Sequence, residues 1–339
     1  MAHASAAVPA VARRELGGVR LAPLAVLDGA VWIAEPDGAT PAPSLTAWWR
    51  AHRHELDGWL RRVGGVLFRG FELPGPDGFA AFVDEVLVPT AYVYRSTPRT
   101  EVGDRVYTAT EYPANRTIPQ HCENAYQDSW PRWLAFYCDL PAREGGDTPL
   151  TDVAAMTRSL PDELKQRFVD KRITYRRCYR DGVDLPWHTV FGTRDRGEVE
   201  AYCRHHRITC TWIGTDQLRT EQTCDAMVRH PITGELLWFN QAHLFHVSSL
   251  DDATRAALLR MYGPDSLPRN AYFGDGTPID PALLTCVREA YVRCTRSFAW
   301  QRGDALLIDN LAIAHGRQPF RGDRRVLVAM GDRRPAAAI

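Results

Sequence analysis

The triplet His121-Cys122-Glu123 places a histidine and a carboxylate two residues apart, and only His121 of the eleven histidines begins such an H-x-[DE] pattern. In an extended segment residues i and i+2 point to the same face, so both side chains can reach one metal ion. A third ligand should come from a distant strand, and His315 is the best candidate because it follows an apolar strand and an acidic turn at 305–310. Two histidines and one carboxylate form the facial triad of non-haem Fe(II) oxygenases. The alternative is that His315 is a core or strand-end histidine whose ring nitrogens make ordinary hydrogen bonds.

Downstream arginines supply a second part of this pattern. A 2-oxo acid that chelates iron through its keto acid end needs a cation for its far carboxylate, and the arginine fork serves best. Arg324 follows His315 after a turn, at the start of a predicted strand at 326–330, whereas Arg325 would point to the opposite face of that strand. Arg317 and Arg321 are weaker candidates, and their alternative interpretation is solvated turn charge.

Composition excludes several classes of function. The 339 residues include 41 Lys and Arg against 41 Asp and Glu, so the chain lacks the basic excess typical of nucleic-acid binders. No stretch approaches the roughly 18 apolar residues of a membrane span, and residues 1–12 resemble a frayed terminus more than a signal peptide. The eight cysteines form no C-x-x-C pair. This favours a reduced, cytoplasmic protein over a zinc ribbon or a disulfide framework.

Hydrophobic periodicity predicts the elements that must position these residues. We expect strands at 65–71, 92–95, 106–110, 133–138, 173–179, 305–309 and 326–330, and a hairpin of 227–230 with 236–239. Helices are predicted at 44–63, 74–87, 162–170, 197–206, 251–262 and 281–294. Many short strands with inserted helices indicate a mainly β fold, a sandwich or jelly roll. A doubly wound α/β sheet is less consistent with this irregular order, and no G-x-G-x-x-G follows an early strand.

The order of several motifs resembles the TauD/TfdA superfamily of Fe(II)/2-oxoglutarate dioxygenases, from about residue 94 to residue 330. The nearest branch is the one that contains the syringomycin-pathway aspartyl hydroxylase. The motifs are IPQHCENAY at 118–126, GGDT at 145–148, HPITGE at 230–235, WFNQ at 238–241 and HGRQPFRGDR at 315–324. The ordered set is specific, although no single motif is decisive.

This resemblance implies a double-stranded β-helix (jelly-roll) core with Fe(II), 2-oxoglutarate and dioxygen as cofactor and co-substrates. It assigns iron to His121, Glu123 and His315, and the distal carboxylate of 2-oxoglutarate to Arg324. The hydroxyl of Thr148 would donate to the same co-substrate. One domain covers 1–339, with N-terminal decoration at 1–90, a core at 91–331 and a helical and hairpin insert at about 152–295.

The branch modifies amino acids in natural-product pathways such as antibiotic biosynthesis, either free or tethered to a peptidyl carrier protein. We therefore expect hydroxylation of an unactivated carbon in an amino acid or a derived metabolite. Related halogenases have a small residue where Glu123 stands, so a carboxylate there disfavours halogenation. Desaturation, epoxidation or cyclisation by the same cofactors stay open. A non-catalytic cupin-like metal-binding protein is disfavoured by Arg324 and Thr148, and a hydrolase lacks a G-x-S-x-G elbow.

Substrate contacts are expected from residues beside the metal motif and in the WFNQ motif: Asn124, Tyr126, Asn240 and Gln241. A loop-capping role is the alternative for Asn240 and Gln241. Arg95 and Arg99 could meet a carboxylate, and we interpret each as a structural ion-pair partner. The oligomeric state is not readable from the sequence.

Overall fold

The computed structural model describes residues 13–24, 29–38, 40–60, 62–89, 99–103, 105–109, 112–180, 182–214 and 216–335. The frayed start predicted at 1–12, the strand predicted at 92–95 and Arg95 lie outside the described residues.

The strands follow one another from the first described residues to the end of the described chain. They are β1 (Arg14–Leu16), β2 (Val19–Pro23), β3 (Val31–Pro36), β4 (Gly65–Phe68), β5 (Glu101–Gly103), β6 (Val106–Thr108), β7 (Ile118–His121), β8 (Ser129–Leu140), β9 (Glu144–Gly145), β10 (Thr148–Asp152), β11 (Ile173–Tyr179), β12 (Thr209–Ile213), β13 (Gln217–Cys224), β14 (Met227–Arg229), β15 (Leu236–Trp238), β16 (Arg269–Phe273), β17 (Thr295–Phe298), β18 (Ala305–Asp309), β19 (Ile313–Arg317), β20 (Phe320–Arg321) and β21 (Arg325–Pro335).

The helices lie before β8 and between β10 and β17. They are α1 (Leu45–Ala51), α2 (Arg53–Leu60), α3 (Gly75–Val86), α4 (Val153–Arg158), α5 (Asp162–Lys171), α6 (Trp187–Phe191), α7 (Arg196–His205), α8 (Ala242–Phe245), α9 (Asp252–Tyr262) and α10 (Pro281–Cys294). None of the helices in the described part of the chain has the length and apolar content that a membrane span needs.

A nine-stranded sheet with the order β1-β2-β3-β4-β18-β8-β21-β6-β5 forms the larger layer. The alternation of side chains along its central strand β8 decides what each face covers. Leu134 and Phe136 belong to a core shared with Leu150 of β10 and Ile313 of β19. On the opposite face, Tyr137 of β8 packs in the core that contains the aromatic residues of α1 to α3. The larger sheet is therefore buried on both faces.

The second sheet has the order β17-β10-β19-β7 and faces the larger sheet across the first of these cores. The predicted mainly β class with helical insertions is confirmed. Between β10 and β17 the chain forms helices α4 to α10 and a further sheet with the order β12-β13-β11-β16. This segment corresponds to the insert expected at about 152–295. Strands β1 to β4, all before residue 90, belong to the larger sheet.

One predicted helix and the strand that carries His315 show how the structure departs from the predicted elements. The helix predicted at 44–63 is broken into α1 and α2, because His52 leaves helical dihedral angles at φ −117° and ψ 19°. The strand β19, which carries His315, was not predicted as a separate element. All five of its residues are buried, and it includes a glycine and an arginine, so it lacks the alternation that identifies a strand from sequence.

Candidate metal centre

Neighbouring strands of the second sheet bring the distant histidines together. Strands β7 and β19 are antiparallel, and His121 lies directly opposite His315 in their register. Their ring centroids are 4.6 Å apart. Glu123 follows β7, and the ligand atoms that these three residues offer all lie within 4.8 Å of one another. The arrangement can close around a single ion.

Both histidines have a nitrogen suited to a metal. The Nδ1 of His121 lies 2.9 Å from the carbonyl oxygen of Pro119, which can only accept, so this nitrogen is the donor and Nε2 keeps its lone pair. Burial lowers the pKa of His315 well below its ordinary value, and the nearby His121 and Arg99 lower it further. The Nδ1 of His315 is buried and has no hydrogen-bond partner among the described residues. Two imidazoles with a carboxylate fit a divalent transition metal.

The backbone of Glu123 is held by Asn310, in the turn after β18. The Oδ1 of Asn310 accepts from the Glu123 N–H at 2.7 Å, and its Nδ2 donates to the Glu123 carbonyl at 2.9 Å. The same Nδ2 donates to the Pro131 carbonyl at 2.9 Å. Gln241 adds a third contact, since its Nε2 donates to the Cys122 carbonyl at 2.7 Å. The segment between the two ligands of the triplet is thus fixed from two other parts of the fold.

His243 supports strand β7 from the insert. Its Nε2 donates to the Gln120 carbonyl at 3.1 Å, and its ring stacks on Tyr291 at 4.6 Å between centroids. Burial lowers the pKa of His243 to about 3, so the ring is neutral near pH 7. The sequence placed this histidine just after the WFNQ motif but gave it no role.

Arg99 is an ion-pair partner, and its partner is the candidate ligand itself. Its Nη2 donates to the Oε2 of Glu123 at 2.8 Å, and the two side chains are 3% and 6% exposed. The same oxygen lies 4.0 Å from the Nε2 of His121. Nothing in the sequence around Arg99 indicates this contact. Arg99 lies before β5, whereas Glu123 lies after β7.

A narrow cavity between the two sheets is lined by His121 and His315 of the triad and by Arg324. Its apolar walls are Phe136, Val326 and Val328 from the larger sheet and Ile118 from the second sheet. The Nε of Arg324 donates to the Gly146 carbonyl at 3.0 Å. Burial and the neighbouring Arg317 lower the pKa of Arg324 to about 10, so it remains a cation at neutral pH. The cavity is therefore lined by two candidate metal ligands and by the positive charge of Arg324.

The two glycines of the GGDT motif make room for Arg324. Gly146 has φ +74°, and a Cβ there would lie 3.0 Å from the Cδ of Arg324. A Cβ on Gly145 would lie 2.4 Å from the Pro319 carbonyl oxygen. Both positions thus need glycine for close approach as well as for a turn.

Thr148 lines the same cavity. The indole N–H of Trp300 donates to its Oγ1 at 2.8 Å. Because that bond uses an acceptor lone pair, the hydroxyl hydrogen of Thr148 stays available for a ligand in the cavity.

The four expected substrate contacts fall into different environments. Tyr126 packs 5.0 Å from Phe245, ring centroid to ring centroid, in the core of the insert. The Nδ2 of Asn240 donates to the Ala226 carbonyl, and its Oδ1 accepts from Ala242 N–H, which favours the loop-capping alternative. Gln241 holds the Cys122 carbonyl. Asn124 has φ +56°, and its buried Oδ1 has no hydrogen-bond partner in the described part of the chain.

Of the other arginines after His315, Arg317 is not a solvated turn charge. It is 7% exposed, and its guanidinium donates to the carbonyls of Tyr112, Pro113 and Arg116. It therefore fixes the segment that leads into β7. Arg321 has a side chain that is 79% exposed, consistent with the solvated alternative.

The sequence is similar to those of a known family and of two individual proteins. The family model described as taurine catabolism dioxygenase TauD, TfdA family, matches residues 32–330. The dapdiamide synthesis protein DdaC of Enterobacter agglomerans is 40% identical over 281 residues, which cover 82% of this chain and 85% of that protein. A clavaminate synthase-like protein of Arabidopsis thaliana is 30% identical over 316 residues, which cover 88% of this chain and 92% of that protein.

A solved structure shares the architecture. It is described as PvcB, an Fe, alpha-ketoglutarate dependent oxygenase from an isonitrile synthetic pathway. The TM-score is 0.54 at 17% sequence identity, with 94% of this chain and 93% of that chain covered. At this identity the likeness concerns the fold, and it confirms the expected jelly-roll core.

Proposed function

Because the chain belongs to the TauD/TfdA family of Fe(II)- and 2-oxoglutarate-dependent dioxygenases, we propose that it hydroxylates an unactivated carbon of an amino acid or an amino-acid-derived metabolite. Members of this family use Fe(II), 2-oxoglutarate and dioxygen. In our proposal His121, Glu123 and His315 hold the iron, while Arg324 and Thr148 bind 2-oxoglutarate.

The observation that carries the ligand assignment is the closeness of the three donor atoms, within 4.8 Å of one another, with His121 and His315 lining a cavity. Two neutral imidazoles and one carboxylate leave a divalent ion with open positions for a chelating co-substrate. The contacts of Asn310 and Gln241 with the ligand segment hold Glu123 in place before any ion arrives.

Arg324 and Thr148 orient the co-substrate along the cavity. The Arg324 fork gives a dicarboxylate one fixed end, and the apolar walls exclude water from the space between it and the ligands. The Thr148 hydroxyl offers one further hydrogen bond near that end. When bound, Fe(II) with 2-oxoglutarate and dioxygen supplies the oxidising power for C–H hydroxylation, with succinate and carbon dioxide as co-products.

Glu123 supports oxygen insertion as the outcome. Its carboxylate stands where a halide would need an open ligand position, so halogen transfer is disfavoured. Asn124 is the substrate contact that we favour, because its buried Oδ1 has no partner among the described residues and it follows the ligand Glu123 directly.

The relative described as a dapdiamide synthesis protein supports a small-molecule substrate of the amino-acid type. We propose that the substrate is either a free amino-acid derivative or one carried by a peptidyl carrier protein, in the biosynthesis of a natural product. Both forms present the same aminoacyl group to the cavity mouth.

A mass-spectrometric screen tests this proposal. Purified protein with Fe(II), ascorbate and 2-oxoglutarate is incubated with free amino acids, small amino-acid amides and aminoacyl carrier proteins, and succinate is followed in parallel. We expect substrate-dependent succinate together with a product heavier by about 16 Da, the mass of one oxygen atom. A loss of about 2 Da would instead identify desaturation or ring closure. His315→Ala is the control without a complete triad.

A further inference from the structure

The ion pair between Arg99 and Glu123 is not explained by the proposed role of Glu123 as a metal ligand, and the proposed function gives Arg99 no role. A guanidinium Nη2 lies 2.8 Å from the Oε2 of Glu123, and the Nη1 lies 3.9 Å from the sulfur of Met330. Both partners of the ion pair are almost wholly buried. Removing two charges from water costs several kcal/mol per ion, so such a pair persists only where its geometry is well satisfied.

Electrostatics alone does not explain an arginine at this place. A cation beside a site for a divalent cation repels the ion, and Arg99 already disfavours the charged form of His315. Any benefit must therefore come from the direction in which Arg99 holds the carboxylate. A planar guanidinium holds a carboxylate oxygen in a defined direction, which a compact ammonium does less well.

Glu123 is a ligand that needs such control. Its side chain is one methylene longer than that of the commoner aspartate, and its two oxygens can both reach an ion. A carboxylate that chelates with both oxygens occupies one position more than a carboxylate that binds with one. In the proposed site that extra position is one that a chelating co-substrate or dioxygen requires.

We propose that Arg99 is a positioning residue that fixes the orientation of the Glu123 carboxylate through Oε2, the oxygen on the His121 side, so that Glu123 offers the metal a single oxygen. This inference rests on the proposed function, because it assumes that Glu123 is a ligand and that 2-oxoglutarate binds the same ion. Arg99 keeps open the coordination position that the co-substrate enters. Its role is therefore to set the number of open positions and not to hold the metal.

The test separates metal affinity from co-substrate affinity. Mn(II) binding to the apoprotein, and then 2-oxoglutarate binding to the Mn(II)-loaded protein, are measured by calorimetry for wild type, Arg99→Gln and Arg99→Lys. Arg177→Gln is the matched control, because Arg177 is also a buried arginine paired with a carboxylate, Asp184, but lies on β11 in the insert. Thermal unfolding of each apoprotein reports folding.

We expect Arg99→Gln to bind Mn(II) at least as tightly as wild type, because a repelling cation is lost and Glu123 is free to chelate. Its affinity for 2-oxoglutarate should fall about tenfold, the equivalent of roughly 1.4 kcal/mol. Arg99→Lys should lose a smaller part of that affinity, because it keeps the charge but not the planar guanidinium. Arg177→Gln should leave both affinities at the wild-type value.

Three results would overturn the proposal. They are an unchanged 2-oxoglutarate affinity in Arg99→Gln, a parallel loss of Mn(II) and 2-oxoglutarate binding, and full restoration of 2-oxoglutarate affinity by Arg99→Lys, which would show that charge alone matters. Should Arg99→Gln fail to fold, Arg99→Lys decides, and a wild-type affinity there rejects the positioning role. A wild-type protein that binds neither Mn(II) nor 2-oxoglutarate would instead reject the proposed function.

Discussion

Asn310 contacts both peptide groups of Glu123, accepting from its N–H at 2.7 Å and donating to its carbonyl at 2.9 Å. A residue of the late turn between β18 and β19 thereby fixes the early candidate ligand, while β19 itself carries His315. The two halves of the candidate site are thus joined by the hydrogen bonds of Asn310 as well as by the pairing of β7 with β19.

Asn310→Ala should weaken metal binding. The change removes the Asn310 hydrogen bonds to the Glu123 N–H and to the Glu123 and Pro131 carbonyls, which should lower the free energy of unfolding by about 1–3 kcal/mol. Loss of a contact behind a ligand typically costs about 10–100-fold in metal affinity. Urea unfolding and Mn(II) titration measure the two effects. Asn270→Ala is the matched control, because Asn270 is a buried asparagine that accepts from Val247 N–H away from the triad. An Asn310→Ala protein with wild-type Mn(II) affinity would contradict the role.

Gly146→Ala should displace Arg324 and leave the triad intact. The added Cβ would lie 3.0 Å from the Cδ of Arg324 and 3.1 Å from its Nε, so the Arg324 side chain must move from its position beside the Gly146 carbonyl. We expect 2-oxoglutarate affinity to fall about tenfold or more with Mn(II) affinity retained. Gly234→Ala carries a comparable backbone strain, at φ +73°, and meets nothing within 4 Å, so it controls for the positive φ. Equal effects of the two substitutions would show that strain, and not Arg324, is responsible.

Arg324→Ala, at the residue just before β21, and Arg325→Ala, at the first residue of β21, form a matched pair of neighbours. Arg324 lines the cavity, whereas Arg325 makes an ion pair with Asp139 on the protein surface. Losing a charge-assisted hydrogen bond costs roughly 1.5–3 kcal/mol, so Arg324→Ala should weaken 2-oxoglutarate binding about 10–100-fold. Calorimetry with the Mn(II)-loaded proteins should show no such change for Arg325→Ala. A loss of 2-oxoglutarate affinity in Arg325→Ala but not in Arg324→Ala would assign the co-substrate contact to Arg325 instead.

The neutral His243 should make the apoprotein sensitive to acid. Its pKa is about 3 in the folded protein, against about 6.5 for an unfolded chain. Between these pH values the unfolded state binds the proton and the folded state does not. The contribution of neutral His243 to the free energy of unfolding is therefore complete above about pH 6.5 and is lost as the pH falls towards 3. The slope from one such group is at most about 1.4 kcal/mol per pH unit.

His243→Gln keeps a donor for the Gln120 carbonyl and cannot titrate. Urea unfolding of the apoprotein at pH 7, 6 and 5 should therefore show a shallower loss of stability than in wild type. His205→Gln, at an exposed position of α7, should leave the slope unchanged. An identical slope in wild type and His243→Gln would show that His243 does not carry this sensitivity.

The spacing of His121 and Glu123 was readable from the sequence because it is local. His121 and Glu123 are two residues apart on an extended segment, and the late strand before His315 is a long apolar run. The mainly β class followed from many short strands, and the family resemblance gave the jelly roll that the solved neighbour confirms. These features depend on residues close in sequence or on an ordered set of motifs.

The contacts that hold the ligands were not readable. Asn310 meets Glu123 across 187 residues, and no periodicity of either segment encodes that pairing. Arg99 was expected to be an ion-pair partner, but the sequence does not show which carboxylate it contacts, because that depends on how the chain folds. Gly146 looked like a turn residue until the position of Arg324 showed what its missing side chain leaves room for.

Anaerobic absorption spectroscopy of the Fe(II)-loaded protein tests the central claim most directly. Addition of 2-oxoglutarate should produce a weak visible charge-transfer band, because the keto acid chelates an ion held by His121, Glu123 and His315. The band should be absent in His315→Ala and should need far more 2-oxoglutarate in Arg324→Ala. A folded, iron-loaded wild-type protein that shows no band at saturating 2-oxoglutarate would contradict the assignment of this site.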